Sequence, residues 1–516
     1  MRKSMFFVTL VCILAGCSAD NTIAPEKTSE SFAVAVHAGY VVTVDGSQYG
    51  DGSVEHPWAL ETALAQPGIL KPGDTVWVHG GVYKGEFNSA LTGTAETPVV
   101  LRAFPGEHVV IDGRLNVNGS YAYYWGFEVM SSDAHRQTAM PGSDPTDLPR
   151  IRAAVFVGGP FNKLINLVVH DLSNGLFSGA SAEGLEVYGS LFYNNGWAGP
   201  DRGHGHNVYL QNEGATKNII DNVLFGSFSS GLQIYGSDAA SLKNFLIEGN
   251  TIFNSGDPVA ATFGHTFNIE HWGGAAGTLG NSIYRNNSIY HRDGRETAAR
   301  FNAPGEAPGG DLEFSDNIVQ GETSFNEMKR YVVTGNTFTS GRQRLGGQSV
   351  LIGLRLPPDG SLSSNRWDGN RYAVPPQGTQ DPFHIKADEM TGYYFPAWRA
   401  ATGYDATGAF VLGWFDKPDV VVRNNRYESG RAFVTCWNWT GAATVSVDLS
   451  RTLKPGDKFQ IHNVFNVLGA PVVTGVYTGK AVSIPQQALT PPAPIGYPAP
   501  PAMPDNTFNV FLVERR

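Results

Sequence analysis

The phrase Asn222-Val223-Leu224 returns 28 residues later as Asn250-Thr251-Ile252, and this repeat decides the fold. Asparagine, any residue, then a large apolar residue recurs over most of the chain, with Ser190-Leu191-Phe192 filling one gap. The recurrences begin at Asn166, Asn222, Asn250, Asn287, Asn317, Asn336, Asn365 and Asn425. Repetition at roughly 20 to 50 residues is typical of a solenoid, in which short units stack. We therefore expect coils in which each asparagine occupies the same bend and bonds its neighbours through its amide.

The region before the repeat, residues 38–115, has the pattern of a start module. A solenoid exposes its core at its first coil and needs a cap there. Residues 57–66 (PWALETALAQ) predict a short amphipathic helix for this purpose. Its apolar face would carry Trp58, Leu60, Ala63 and Leu64.

The region after the repeat changes in character. Residues 373–418 suggest an insertion, with a short helix near Pro396 that is ended by Gly403. Alternating strands at regular spacing then predict a small antiparallel β-sandwich over 431–516.

Two segments resemble those of a known superfamily. They are residues 72–85 (PGDTVWVHGGVYKG) and 93–113 (GTAETPVVLRAFPGEHVVIDG). With the asparagine coils, they resemble the right-handed parallel β-helix proteins of the pectin-lyase-like polysaccharide lyase and glycoside hydrolase superfamily. The resemblance covers about residues 40–430. It implies an all-β chain, a right-handed parallel β-helix solenoid over 38–430 followed by the small C-terminal β-sandwich, and a carbohydrate-active enzyme.

The first residues predict export. Arg2 and Lys3 precede the apolar run 6–14, which is too short to span a bilayer. The following Leu14-Ala15-Gly16-Cys17 resembles a bacterial lipobox. That resemblance implies a signal over 1–17, a lipid on Cys17, a tether over 18–37 and an outer-membrane lipoprotein. Its contact with the membrane would be through the lipid anchor only.

Composition restricts the other partners. The net charge is −10 and 16% of residues are charged, which argues against a nucleic-acid partner because no basic patch is present. Of three cysteines only Cys436 would remain free in the mature chain, so we expect no intramolecular disulfide. We expect a monomer with a polysaccharide as its substrate.

The densest group of unusual residues runs from 184 to 272, over four predicted coils. Strand alternation sends apolar residues inward and polar or aromatic ones outward. One outward column would hold Glu186, Tyr209, Gln233 and Asn268, and the next Tyr188, Gln211, Tyr235 and Glu270, with Trp272 beyond. Aromatic rings with amides and carboxylates form a surface suited to sugars.

A histidine pair precedes this surface in the segment Asp201-Arg202-Gly203-His204-Gly205-His206. The His-x-His spacing permits metal chelation with His265 or His271 as a third ligand, but no carboxylate or cysteine stands at ligand spacing. Without a metal, these histidines would make structural hydrogen bonds or act on the substrate. We predict no metal ligand set from the sequence.

The spacing of carboxylates favours one reaction. A glycosidase needs two carboxyl groups about 5 to 9.5 Å apart, whereas Glu186 and Glu270 would lie roughly 14 Å apart at about 4.8 Å per coil. β-Elimination on a uronide needs instead a base, an acid and a group that neutralises the carboxylate. We assign His206 or Tyr209 as the base, the other or His204 as the acid, and Arg202 to the carboxylate.

The resemblance also implies a lysine or arginine base and calcium, and calcium is the one cofactor left open. The predicted outward columns contain no lysine and no cage of acidic residues. The sequence therefore predicts an extracellular polysaccharide lyase acting on an acidic polysaccharide. The alternatives are a glycoside hydrolase of the same fold, a non-catalytic glycan-binding surface protein and a uronan epimerase.

Overall fold

A computed structural model describes most of the chain from residue 39 onward. The predicted signal, the lipobox with Cys17 and the tether lie outside the described residues and stay predictions. No helix within the described part is long and apolar enough to cross a membrane. The described ranges are 39–148, 153–264, 266–275, 278–292, 298–302, 309–340, 350–374, 381–386, 390–487, 489, 491–498 and 506–516.

The chain coils into a solenoid with three strand-bearing faces. Its first face is a parallel sheet of twelve strands, one from each coil. In sheet order they are Tyr40–Ser47, Thr75–Val78, Val99–Ala103, Ala122–Trp125, Lys163–Ile165, Glu186–Tyr188, Lys217–Ile220, Phe245–Glu248, Ser282–Arg285, Gly309–Ser315, Met328–Thr334 and Arg366–Asp368.

The second and third faces begin together, because the long strands Gly81–Ser89 and Val109–Val117 run through both. The second face continues with Glu128–Met130, Val168–His170, Leu191–Tyr193, Val223–Phe225, Thr251–Phe253, Ser288–Tyr290, Ile318–Gln320, Thr337–Thr339, Arg371–Val374 and Ala409–Leu412. The third continues with Ala154–Val157, Asn174–Ser178, Val208–Leu210, Leu232–Gly236, Ile269–Gly273, Ala299–Phe301, Thr323–Asn326, Ile352–Arg355, Phe383–Lys386 and Met390–Tyr393. The last of these pairs antiparallel and the others parallel. This arrangement confirms the predicted right-handed parallel β-helix.

The asparagine repeat forms a buried ladder between the first and second faces. From Asn250 onward, the side-chain oxygen of each rung accepts bonds from the backbone N–H and the side-chain amide of the preceding rung, at 2.9 to 3.3 Å. The rungs are Asn222, Asn250, Asn287, Asn317, Asn336, Asn370 and Asp405. The predicted ladder is therefore confirmed for the five rungs from Asn222 to Asn336.

Three predicted rungs are wrong. Asn166 occupies the left-handed position one residue earlier in its bend, with φ 53°. Asn365 precedes its strand and bonds Tyr331 and Tyr404, so Asn370 takes the rung instead. Asn425 lies after the solenoid and donates to Asn166 Oδ1 at 2.6 Å.

We expect Asn287→Ala to lower the stability of the solenoid. The substitution leaves the backbone N–H and the amide of buried Asn250 without their acceptor, and each buried unsatisfied group costs about 1–3 kcal/mol. Guanidinium unfolding should show a clearly lower midpoint. The control is Asn218→Ala, because Asn218 donates only to the nearby Thr216 carbonyl and should change stability by less than about 0.5 kcal/mol. Equal midpoints for the two variants would contradict a ladder that stabilises the fold.

Both ends of the solenoid core are covered by helices. Near the start, Leu60–Leu64 buries Leu60, Ala63 and Leu64 in the main core, next to Trp58. At the other end, Phe395–Thr402 buries Phe395 and Trp398 in the same core. Within the predicted insertion, the described strands Phe383–Lys386 and Ala409–Leu412 continue the third and second faces of the solenoid.

The remaining elements are short or lie near the C-terminus. The short pairs are Trp197–Ala198 with Gly203–His204 and Leu242–Lys243 with Leu279–Gly280. The short helices are Asp257–Val259, Ala260–Phe263, Leu362–Ser364 and Val464–Asn466. An antiparallel sheet contains Asp419–Asn424, Arg431–Trp437, Phe508–Arg515, Lys458–Asn463 and Val473–Val476, beside the pair Thr444–Val447 and Val482–Pro485. These strands form the predicted C-terminal antiparallel sheet, whose first strand is Asp419–Asn424.

The C-terminal sheet covers the second face. An outward aromatic column there, with Tyr193, Phe225, Phe253 and Tyr290, packs against this sheet in one apolar cluster. Tyr290 and Phe508 stack with ring centroids 4.1 Å apart. No sheet of the described residues covers the third face in this way, and this face carries the clefts described below.

Candidate functional site

The third face presents one outward side chain per coil in continuous register. Glu270 pairs with Gln233 on one side and with Arg300 on the other. Gln233 pairs in turn with Tyr209, and Tyr209 with Phe177. Adjacent rungs lie about 4.8 Å apart, so this row can follow an extended polymer along the solenoid axis.

A cleft of about 830 Å³ runs beside this row. Trp197 and Arg202 form part of one wall, together with Ser143 from the loop 131–148. Tyr235 and Trp272 form the other end, with ring centroids 4.9 Å apart. The lining residues are Ser143, Asn174, Phe177, Trp197, Arg202, His204, Gly205, His206, Tyr209, Ser229, Ser230, Gln233, Tyr235, Thr266, Phe267, Glu270 and Trp272.

Glu270 is the carboxylate in the cleft lining, and it is held on both oxygens. Its Oε1 accepts from Arg300 Nη2 at 2.6 Å, and its Oε2 accepts from the Ser230 hydroxyl. The Arg300 guanidinium lies 4.3 Å from the Trp272 ring and 4.6 Å from the Phe267 ring. Glu270 therefore fixes a cation beside aromatic rings at the cleft floor.

His206 and Tyr209 adjoin in the cleft, with ring centroids 5.5 Å apart at 71°. His206 Nδ1 lies 3.2 Å from the Ser230 carbonyl, which only accepts, so the free lone pair is on Nε2. Burial lowers the pKa of His206 to about 3, with the charges of Arg202 and His204 adding to the effect. Burial, with Tyr235 nearby, raises the pKa of Tyr209. At neutral pH the imidazole is therefore neutral and the phenol is protonated.

His204 has a supporting position. Its Nε2 lies 3.0 Å from Asp201 Oδ1, and its ring stacks on Trp197 at 5.2 Å. Burial, and the charge of Arg202, lower its pKa although Asp201 opposes the shift. Arg202 is largely exposed; its guanidinium donates to Ser143 Oγ at 3.1 Å and lies 3.8 Å from Asp201 Oδ2.

Four buried polar atoms of the cleft lining have no hydrogen-bond partner among the described residues. They are Gln233 Oε1, Thr266 Oγ1, Trp197 Nε1 and Trp272 Nε1. Buried polar groups are nearly always hydrogen-bonded. One unpaired acceptor, two N–H donors and a hydroxyl suit a ligand rich in hydroxyl groups.

The predicted placement of Glu186 and Tyr188 is wrong, because both lie on the first face. Glu186 accepts from Arg426 Nη2 at 2.6 Å and from the Tyr427 hydroxyl at 2.5 Å. Tyr188 is buried and its hydroxyl donates to the Asn424 carbonyl at 3.2 Å. These side chains bind the start of the C-terminal domain to the solenoid.

The predicted register of the last strand is wrong by two residues, because Ile269 and not Phe267 pairs with Leu232. Asn268 lies just before the strand Ile269–Gly273 and is buried, where its amide donates to the Tyr290 carbonyl at 2.9 Å. Glu270 moves into the row of Gln233, and Trp272 lies beside Tyr235.

The other predicted residues divide between the cleft and its surroundings. Arg202, His204, His206, Tyr209, Gln233, Tyr235, Glu270 and Trp272 line the cleft together. Gln211 lies outside the lining and donates to the Tyr235 carbonyl at 3.2 Å. Arg300, Phe267 and Ser230 escaped the sequence reasoning, because no repeat phrase marks them and their roles depend on the register.

The described residues do not provide a metal site. None of them form a group of three or more histidine, cysteine or acidic side chains able to hold an ion. His271 points into the core, where it bonds the Leu242 carbonyl and the Tyr284 hydroxyl, and burial lowers its pKa to about 4. His265 lies outside the described residues. The donor set therefore does not fit calcium, and no step is assigned to it.

Similarity to known proteins is partial. No family model matches the chain. It is 36% identical over 85 residues to pectate lyase PEL9 of Emericella nidulans, covering 16% of this chain and 20% of that enzyme. It is 31% identical over 121 residues to pectate lyase L of Thermoclostridium stercorarium, covering 21% of this chain and 10% of that enzyme. The chain thus spans a fifth or less of the length of these curated relatives.

Solved structures show weak similarity. Pectate lyase Pel9A is similar with a TM-score of 0.43 at 15% identity, over 67% of this chain and 81% of that one. A rhamnogalacturonan lyase is similar with a TM-score of 0.44 at 16% identity, over 64% of this chain and 86% of that one.

Proposed function

We propose that this protein is a polysaccharide lyase that cleaves an acidic polysaccharide by β-elimination in the cleft of the third face. The observation that carries the proposal is that one cleft is lined by a neutral imidazole, a protonated phenol, the Arg202 guanidinium and several aromatic rings. A second arginine, Arg300, lies beside the lining ring of Trp272. Two curated relatives are named pectate lyases, which supports this reaction class.

In this reaction His206 Nε2 takes the proton from the carbon next to the substrate carboxylate. The electron pair of that C–H bond forms the new double bond, and the bond from the neighbouring carbon to the bridging oxygen breaks. The Tyr209 hydroxyl gives its proton to the departing oxygen. Proton transfer by positioned side chains of this kind contributes typically about 10²–10⁴-fold each.

The low pKa of His206 fits a base that works beside an anion. In the free cleft, burial keeps the imidazole neutral, so its lone pair is available. A bound uronate carboxylate brings a negative charge into the same low-dielectric space and raises the basicity of the ring. Gln233 and the exposed Arg202 line the cleft, and Arg300 lies behind Glu270; together they would stabilise the charge that develops on that carboxylate.

Hydrolysis fits the cleft less well. It requires two carboxyl groups, and Glu270 is the carboxylate among the described lining residues. Both of its oxygens are already engaged, by Arg300 and Ser230. Glu270 therefore serves better to hold Arg300 than to attack a sugar.

We expect incubation with a panel of uronides to release products that absorb ultraviolet light through their new double bond. The measurement is absorbance together with reducing ends on each substrate, for wild type and Glu270→Gln. Reducing ends without absorbance, lost in Glu270→Gln, would select a glycoside hydrolase instead. A change of sugar configuration without cleavage would select an epimerase, and binding without any product would select a glycan-binding surface protein.

A further inference from the structure

A second pocket lies on the third face, toward the N-terminal end of the solenoid. Its volume is about 470 Å³, and it shares Asn174 and Phe177 with the larger cleft. Its other lining residues are Arg114, Asp144, Pro145, Thr146, Leu148, Ala154, Phe156 and Ser173. The same loop 131–148 therefore forms a wall of both the second pocket and the larger cleft, which together make one continuous groove.

Aromatic rings line the floor of this second pocket. Phe156 and Phe177 stack with centroids 5.7 Å apart, and Phe177 meets Tyr209 edge to face at 5.1 Å. Phe156, Phe177 and Tyr209 occupy successive rungs of the outward row, each paired with the next. The row of rings therefore leads from the second pocket to the proposed acid.

Arg114 supplies a positive charge at the far end. Its Nε donates to Asn116 Oδ1 at 2.7 Å, and Asn116 donates in turn to Asn88 Oδ1 at 2.8 Å. These bonds orient the guanidinium, which lies 5.9 Å from the Phe156 ring. Glu86 faces Arg114 in register on the neighbouring strand and Asp144 lines the same pocket, but no carboxylate of the described residues forms an ion pair with Arg114 within 4 Å. An oriented arginine without an acidic partner is suited to bind a carboxylate on two N–H groups.

We propose that the second pocket is a distal subsite, in which Arg114 binds the carboxylate of a further acidic sugar and Phe156 and Phe177 contact its ring. The inference rests on the proposed function, since it places more of the same acidic chain along the same face. Arg114 lies three coils from Tyr209, or roughly 14 Å at about 4.8 Å per coil. The subsite therefore acts only on chains that extend well beyond the cleaved bond, and it favours internal attack on long polymers.

The test is the dependence of kcat/KM on chain length in wild type, Arg114→Gln and Arg114→Lys. A charge-assisted hydrogen bond contributes about 1.5–3 kcal/mol, so Arg114→Gln should lower kcat/KM roughly 10- to 100-fold on long acidic oligosaccharides. The shortest cleaved oligosaccharide should be turned over at the wild-type rate. Arg114→Lys should recover part of the lost kcat/KM, since lysine keeps the positive charge but lacks the two parallel N–H groups of the guanidinium. If Arg114→Gln lowers kcat/KM equally on oligosaccharides of all lengths, or on none of them, the proposed subsite is wrong.

Calorimetric binding separates this inference from the proposed reaction. Titration with long acidic oligosaccharides should show weaker binding to Arg114→Gln than to wild type, whether or not a product forms. The same oligosaccharides with reduced carboxyl groups should bind both proteins equally. If no product forms in the lyase assay but Arg114→Gln still binds more weakly than wild type, the proposed reaction is wrong and the subsite is supported. Equal affinity of both proteins for the acidic form would overturn the subsite alone. The matched control is Arg330→Gln, an arginine of the first face that is paired with Asp311.

Discussion

His206→Ala is expected to lower kcat on an acidic polysaccharide by about 10²–10⁴-fold, the usual contribution of a positioned base. The Nε2 lone pair of His206 is free because Nδ1 faces the Ser230 carbonyl, and the ring lies against Tyr209 on the cleft floor. Tyr209→Phe removes only a hydroxyl and should cause a loss of similar size, because the departing oxygen then lacks its proton donor. The measurement is initial rate by ultraviolet absorbance at saturating substrate.

The pH profile provides an independent check on this assignment. Burial lowers the pKa of His206 to about 3, so the free enzyme keeps a neutral base on lowering the pH from 7 to 5. We therefore expect kcat/KM to stay flat over that range, whereas a solvent-exposed histidine base would lose activity through about pH 6.5.

The control for His206→Ala is Tyr235→Phe, which alters a sugar contact in the same cleft and should lower kcat by less than about tenfold. A His206→Ala enzyme with kcat near that of Tyr235→Phe would exclude His206 as the base.

The scaffold was predictable because it depends on local repetition. Asn287 bonds the coil before it and the coil after it, so its phrase recurs at each bend and can be read directly from the sequence. The repeat failed at Asn365, because this asparagine precedes the first-face strand Arg366–Asp368, whereas the ladder rungs lie between a first-face strand and the following second-face strand. The true rung, Asn370, carries the same phrase in Asn370-Arg371-Tyr372, five residues after that of Asn365, so the phrase alone does not select between the two asparagines.

The site was less predictable, because a face cannot be assigned from alternation alone. Glu186 and Gln233 both alternate with inward apolar residues, yet the first lies on the first face and the second in the cleft. The row that Glu270 occupies depended on the strand register, which differs from the predicted one by two residues. The aromatic column through Phe225 and Phe253 would also suit sugars, and only the C-terminal domain that covers it shows otherwise.

Arg136→Met is expected to lower the free energy of unfolding by about 3–5 kcal/mol, since it removes one partner of a buried ion pair. Arg136 is fully buried and its Nη1 lies 2.9 Å from Asp171 Oδ1. Asp171 also faces His170 at 2.7 Å and accepts the backbone N–H of Ile495 at 2.9 Å. Burial opposes the charge on His170, but the bonds to Asp171 and Glu128 outweigh it and raise its pKa to about 9. Without Arg136, protonated His170 would be the one buried cation, among the described residues, beside the two buried carboxylates of Asp171 and Glu128.

The same substitution should loosen the cleft wall. The Arg136 carbonyl accepts from Ala198 N at 3.0 Å, and the strand Trp197–Ala198 pairs with Gly203–His204. We expect limited proteolysis to cut the loop 131–148 faster in Arg136→Met, with midpoints of guanidinium unfolding measured alongside. The control is Arg330→Met, because that exposed pair with Asp311 should contribute only about 0–1 kcal/mol. If both variants unfold at the same midpoint, the Arg136–Asp171 pair does not hold the C-terminal segment and the cleft wall together. A lower unfolding midpoint and faster proteolysis in Arg136→Met alone would show that the wall of the proposed active cleft depends on a buried ion pair below it.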